Sequence, residues 1–270
     1  MPSLEDGLYD LGRLDRLAAL DTPVHRLDPR AKVLTTLVFL VCVVSFGKYE
    51  LLPMAPFVLF PVALIAEGAL PAGFLLRKVL AVAPFAIFVG VFNPLLDRAA
   101  VAEVAGVAIS GGWVSFGSIL LRVFLTTTAA LVLVATTGMS GVCAALQRLG
   151  LPDVLTTQLL LLYRYIFVLG EETMRMARAR ALRSFGRRGM GLGVYVNMLG
   201  NLLLRTYARA ERVYRAMLAR GFDGRVRTSG GRPPGTRDVA FTLGWSAAFV
   251  LFRVYNVPLA LGTVITELMR

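Results

Sequence analysis

The chain has 270 residues, of which 56% are hydrophobic, with a mean hydropathy of +0.67 and a formal net charge of +12. Soluble domains usually hold about 45–50% apolar residues, so this surplus argues against an ordinary soluble globule and for a bilayer as solvent. The only cysteines, Cys42 and Cys143, stand apart in apolar or small-residue surroundings, and His25 is the only histidine. A disulfide framework and a multi-histidine metal centre are thereby excluded, and the two thiols read as small buried hydrophobes.

The chain opens on mixed polar residues, among them Glu5, Asp6, Asp10, Arg13, Asp15 and Arg16. That pattern is unlike the basic start and short apolar core of a signal peptide. Insertion through an internal span, with nothing cleaved and the N-terminus in the cytosol, is expected. Asp28-Pro29-Arg30 predicts a helix start, with Asp28 as cap and Pro29 at the first helical position. The charges of Asp28 and Arg30 also allow a link to the basic segment further along.

A hydrocarbon core about 30 Å thick takes about 20 apolar residues per helical span. Val33 to Phe46 and Leu51 to Ala66 form a first hairpin across the polar break Gly47-Lys48-Tyr49-Glu50, the second arm carrying Pro53, Pro56 and Pro61. Val79 to Leu96 makes a third span, entered from a cytoplasmic edge at Arg77-Lys78. A Gly- and Ala-rich link over residues 97–112 leads to a fourth, Trp113 to Thr137, with Arg122 inside it snorkelling or facing the protein. A fifth runs from Val239 towards Ile265.

Residues 138–237 form the middle region, between 1–137 with four spans and 238–270 with the last. From Glu171 to Arg237 there are fifteen arginines against Glu171, Glu172, Glu211 and Asp223. The positive-inside bias places this segment in the cytoplasm, which requires an even number of spans before it. Residues 151–170 are apolar but interrupted by Arg164, and on that parity they belong to a helix lying at the interface. The expected class is an all-α integral membrane protein with about five spans and a cytoplasmic or interfacial helical insert.

Two helices are legible in the insert, Asp153 to Arg183 and Leu192 to Arg220. In the second, Leu199, Leu203, Thr206, Ala210, Val213 and Met217 recur at helical spacing as one apolar face, while Arg205, Arg209 and Arg212 form a basic one. Glu211 and Arg215 make an i, i+4 pair. Such a helix is suited to anionic lipid. The two helices end alike, however: Leu182-Arg183-Ser184-Phe185 and Ala219-Arg220-Gly221-Phe222. Each sets an arginine beside a small residue where the chain turns and the helix dipole favours a cation. A pair of matching ends points to a pair of matching receptors, which an arginine fork can grip through carboxylates and carbonyls.

With these segments in view, the sequence resembles the T component of energy-coupling factor importers, most closely the CbiQ family of cobalt and nickel systems. The likeness rests on His25-Arg26-Leu27-Asp28-Pro29-Arg30-Ala31-Lys32, on Tyr163-Arg164-Tyr165 through Ser184-Phe185, and on Arg209-Ala210-Glu211-Arg212 through Ala219-Arg220-Gly221-Phe222. It implies that the insert is a coupling domain whose Ala-Arg-Gly-like motifs seat on two ABC ATPase subunits. Ala219-Arg220-Gly221 matches in full, and Leu182-Arg183-Ser184 departs at both flanks of its arginine. It also implies that the apolar faces of the insert, with Leu199, Leu203, Ala210 and Met217, meet a separate substrate-binding membrane subunit. ATP and Mg would then sit on the partner ATPases of a cell inner membrane importer for cobalt or nickel, with no cofactor on this chain.

The sequence lacks a phosphate-binding loop: Gly189-Met190-Gly191-Leu192-Gly193 has no lysine to reach a phosphate. ATP hydrolysis by this chain alone is not expected, nor is a metal site. Met174, Met176, Met190, Met198 and Met217 read as adaptable packing rather than a metal relay. An intramembrane enzyme would need a nucleophile with a base, or paired carboxylates, at membrane depth, and the spans hold neither. The competing reading is a basic membrane scaffold for anionic lipid or nucleic acid, which would spread its binding evenly over the arginines.

Overall fold

The computed structural model describes residues 2–96, 100–104, 107–183, 191–226 and 235–254. They fall into two compact units, Asp15–Gly138 with Gly231–Arg270, and Met1–Leu14 with Met139–Gly230. Helix α1 (Pro2–Ala18) contributes to both, and α6 (Gly111–Arg148) runs through the boundary at Gly138. There the backbone leaves helical geometry, at φ 68° and ψ 156°. Glycine adopts such a positive φ without the Cβ clash of other residues.

The first unit holds α2 (Pro29–Val44), a 3₁₀ turn at Leu52–Val58 running into α3 (Leu59–Glu67), then α4 (Ala72–Gly90) and α5 (Phe92–Leu96). The segment of α6 before Gly138 and α9 (Thr236–Val254) complete it. The second arm of the expected hairpin begins as 3₁₀ because Pro56 lies inside that turn and Pro53 at its start. Between α5 and α6, where a Gly- and Ala-rich link was expected, β1 (Ala100–Val104) pairs antiparallel with β2 (Val107–Ser110). The all-α membrane class holds with that one hairpin added.

Three described helical segments are long and apolar enough to cross a bilayer by length and composition: Ala72–Pro94, Gly111–Arg148 and Asp153–Arg183. The third was assigned to the interface. Length and composition alone admit it to the bilayer, so the interfacial assignment rests on the arginine bias around it. Helices α2 and α9 are shorter, at 16 and 19 residues, and residues 255–265 of the expected last span lie outside the described residues. On α4 the side chains of Phe85 and Phe88 are left uncovered, which hydrocarbon tolerates and water does not.

Helix α2 packs against α9 around a cluster of buried rings. Phe39 lies 4.9 Å from Phe60 and 5.3 Å from Phe249, and Phe60 lies 5.0 Å from Phe249, centroid to centroid. Such tilted and edge-on pairs contribute about 0.5–1.5 kcal/mol each beyond their burial.

Both ends of α2 are fastened. At its start Asp28 caps the helix, with Pro29 at the first position, and its Oδ1 accepts the Arg30 N–H at 2.7 Å. The Asp28 N–H in turn donates to Asp238 Oδ1 at 2.8 Å, while Asp238 Oδ2 accepts the Gly235 N–H at 2.8 Å. One carboxylate thus satisfies donors at the starts of α2 and α9, and Asp28 is joined to α9 rather than to the basic insert. Buried Lys32 donates to the Thr136 carbonyl at 2.8 Å, just before the break at Gly138, and Asp28 and Asp238 offset its charge.

The far end of α2 accounts for Arg122. Its guanidinium faces the protein and donates to the Phe46 carbonyl at 2.9 Å. Arg253 donates to Ser45 Oγ at 3.0 Å and to the Ser45 carbonyl at 3.1 Å, and lies 4.6 Å over the Phe46 ring. Two cations therefore meet the electronegative end of the helix.

Removing one partner of a buried charge cluster costs about 3–5 kcal/mol. Asp238→Ala should lower the thermal unfolding midpoint of the detergent-solubilised protein by that scale of stability, and Asp238→Asn, which keeps one carbonyl acceptor, by less. Equal midpoints for Asp238→Ala and wild type would show that the carboxylate does not hold the two helix starts.

Candidate functional site

The second unit is built from α7 (Asp153–Arg183), α8 (Leu192–Ala219), the end of α6 and the start of α1. Both long helices have the expected extents to within a residue at the end of α8. At 31 residues, α7 is about 46 Å long. Leu8 of α1 packs so closely on Gly170 that a Cβ there would collide with its side chain. The participation of α1 is absent from the sequence reading, although Leu8, Leu11 and Leu14 carry the helical spacing that signals it.

Helix α8 ends in a Schellman turn. The Phe222 N–H donates to the Met217 carbonyl at 3.0 Å and the Gly221 N–H to the Leu218 carbonyl at 2.9 Å, with Gly221 at φ +78°. Arg220 is the C-cap, held between a finished helix and a left-handed glycine, and Ala219, Arg220 and Gly221 are all exposed. Helix α7 ends at Arg183, which is exposed beside Leu182 at 82% exposure. Ser184 lies outside the described residues. An exposed arginine thus stands at the C-terminal end of each long helix.

Between α7 and α8 lies a cleft of about 580 Å³, walled by Leu161 and Tyr165 on one side and Ala210, Val213 and Met217 on the other, with Phe222 among its lining residues. The single apolar stripe expected on α8 therefore divides. Ala210 and Met217 line the cleft, whereas Leu199 and Leu203 stand outside it, 64% and 70% exposed. Its arginines divide as well. Arg205 pairs with Glu172 of α7 at 2.9 Å, and Arg215 pairs with Glu211 as the spacing predicts. Arg209 and Arg212 border a smaller cavity of about 350 Å³ beside Arg205 and Glu172.

Among the described residues no three of His, Cys, Asp and Glu gather as metal ligands would. In the first unit His25 Nδ1 lies 2.7 Å from Thr22 Oγ1, and burial, aided by the charge of Lys32, holds its imidazole below the usual range. Cys143 is buried and Cys42 half-buried, both as free thiols.

The family model CbiQ, described as cobalt transport protein, matches residues 21–229. The chain belongs to the CbiQ family. The match takes in both arginine-bearing ends and begins just after α1. Among similar proteins is the energy-coupling factor transporter transmembrane protein EcfT of Heliobacterium modesticaldum, 28% identical over 267 residues, covering 91% of this chain and 98% of that protein. EcfT of Bacillus subtilis is 27% identical over 220 residues, 74% of this chain and 81% of its own length. The nickel permease LarQ of Lactiplantibacillus plantarum is 33% identical over 103 residues, 38% of each chain. An uncharacterised Methanocaldococcus jannaschii protein is 33% identical over 125 residues, 43% of its length. This CbiQ-family chain is accordingly a membrane component of a transport system.

The positive φ at Gly221 makes its substitution a local test. A left-handed backbone costs a β-branched residue about 1–2 kcal/mol, so Gly221→Val should speed hydrogen exchange at the end of α8 by about tenfold, while Gly221→Asn changes it less. Unaltered exchange in Gly221→Val would mean that the turn is not held as described.

Proposed function

We propose that this chain is the coupling subunit of an energy-coupling factor importer, passing the ATP-driven motion of two ATPase subunits to a substrate-binding membrane subunit. The observation that carries the reading is the pair of exposed arginines, Arg183 and Arg220, at the C-terminal ends of two long helices of one insert. The family match and the EcfT names of two relatives support it. Catalysis belongs to the partners, which bind ATP and Mg.

In this reading each arginine seats in one ATPase, where its planar fork donates to carboxylates and carbonyls. When ATP draws the two ATPases together, α7 and α8 move as levers, because helices bend far less readily than loops. The exposed Leu199 and Leu203, with Ala210 and Met217 beside the cleft, supply the apolar surface for the substrate-binding partner. The insert and the N-terminus face the cytoplasm, and α7 lies along the membrane surface, by the arginine bias. Cobalt or nickel is the cargo that the family description and LarQ favour, with the metal selected by the partner rather than by this chain.

The arms of one comparison separate this reading from a diffusely basic surface. In a detergent pull-down with the ATPase and substrate-binding subunits co-expressed, Arg183→Glu plus Arg220→Glu should reduce ATPase recovery by about tenfold or more, as loss of a desolvated charged contact does. Arg209→Glu plus Arg212→Glu, with the same change of charge, should recover the wild-type amount. Equal losses from both pairs would favour a lipid-facing or nucleic-acid-binding surface.

A further inference from the structure

The residues after Gly221 do not leave the insert directly. They turn back onto the first turns of α7, the helix whose other end carries Arg183. Thr157, 7% exposed on α7, donates through Oγ1 to the Gly224 carbonyl at 3.3 Å and accepts the Val226 N–H at 3.3 Å. One hydroxyl thus stands in for a two-bond backbone pairing. Beside it, Arg225 Nε lies 2.9 Å from Asp153 Oδ2. The other oxygen of Asp153 accepts from Gln147 of α6 at 2.6 Å. Gly224 at φ +88° and the Arg225 N–H bond to Asp223 Oδ1 at 3.2 Å shape the turn that presents these groups. Helix α6 closes in its own left-handed turn, Gly150 at φ +107° and the Leu151 N–H on the Leu146 carbonyl at 3.0 Å. The end of α6, the start of α7 and the tail of α8 therefore meet at Asp153.

We propose that Asp153, Thr157 and Arg225 are positioning residues that lock the Arg220-bearing end of α8 to the start of α7, so that the rigid length of α7 sets the spacing of the two arginine ends. The inference rests on the coupling role proposed above and adds a mechanical part to it. Arg220 lies only five residues before Arg225 and is held to its helix by the turn at Gly221, so a force on Arg220 reaches α7 through the clamp. Without the clamp, the same force would be taken up by movement of α8 against α7 along their apolar cleft. Arg183 needs no equivalent device, because it is part of α7 itself.

The test uses the full-length chain with Cys42→Ser and Cys143→Ala and spin labels at Ala179→Cys and Ala216→Cys, near the ends of α7 and α8. Electron–electron distance distributions are compared with ATPase recovery from the co-expressed complex. Thr157→Val with Arg225→Ala should broaden the distribution and lower recovery by about tenfold. Thr157→Ser with Arg225→Lys, which keep a hydroxyl and a cation at these positions, should keep both near wild type, which separates positioning from loss of fold. An unchanged distribution in Thr157→Val with Arg225→Ala overturns the clamp, and so does a broadened one with full ATPase recovery. Failure of the unlabelled wild-type chain to recover ATPase would remove the coupling reading, and with it the purpose assigned to the clamp, while the distances still show whether these residues hold the helix end.

Discussion

A helix end leaves backbone groups without intrahelical partners, and within a bilayer no water replaces them. Much of the polar chemistry in this chain is arranged at such ends. At the starts of α2 and α9 a single carboxylate, Asp238, receives N–H groups from both. At the break in α6, the ammonium of Lys32 takes the Thr136 carbonyl. At the end of α2, Arg122 and Arg253 take the carbonyls of Phe46 and Ser45. In each place a charge that would be costly alone becomes tolerable because it completes a helix terminus and meets the favourable end of its dipole.

The second unit solves the same problem with glycine. Gly150 and Gly221 close α6 and α8 by main-chain bonds alone, so the basic side chain at the end of α8 is not consumed in capping. Arg220 can therefore face outward from a fixed position. That difference links structure to function: Arg122 and Arg253 of the first unit are used internally, while the arginines at the ends of α7 and α8 are presented. The clamp on Thr157 and Asp153 extends the same economy of bonds to the segment that follows Gly221.

The extents of α7 and α8, the cap at Asp28 and the two arginine ends were legible because each depends on local signals: helical spacing of apolar residues, an Asp-Pro start, and a glycine after a periodic run. The roles of Arg122 and Arg253 were not, because Ser45, Phe46 and Gly47, the groups they meet, lie far away in sequence. The same holds for Asp238, whose partner Asp28 lies 210 residues away. The strands at Ala100–Val104 and Val107–Ser110 were hidden by alanine and glycine, which weaken strand signals. The division of the α8 stripe was also out of reach. Periodicity marks Leu199 and Met217 as one face, and only the placement of α7 shows that one is exposed while the other borders the cleft. The three residues around Thr157 carried no motif at all.

Coupling requires contact between both arginine ends and ATPase subunits in the membrane. A photo-crosslinking side chain placed at Leu182 and, separately, at Ala219 tests it in intact cells, with the exposed Tyr207 of α8 as the control position. The account predicts crosslinks to an ATPase subunit from positions 182 and 219 and none from 207. Crosslinks to lipid alone at 182 and 219, or an ATPase adduct only at 207, would contradict it.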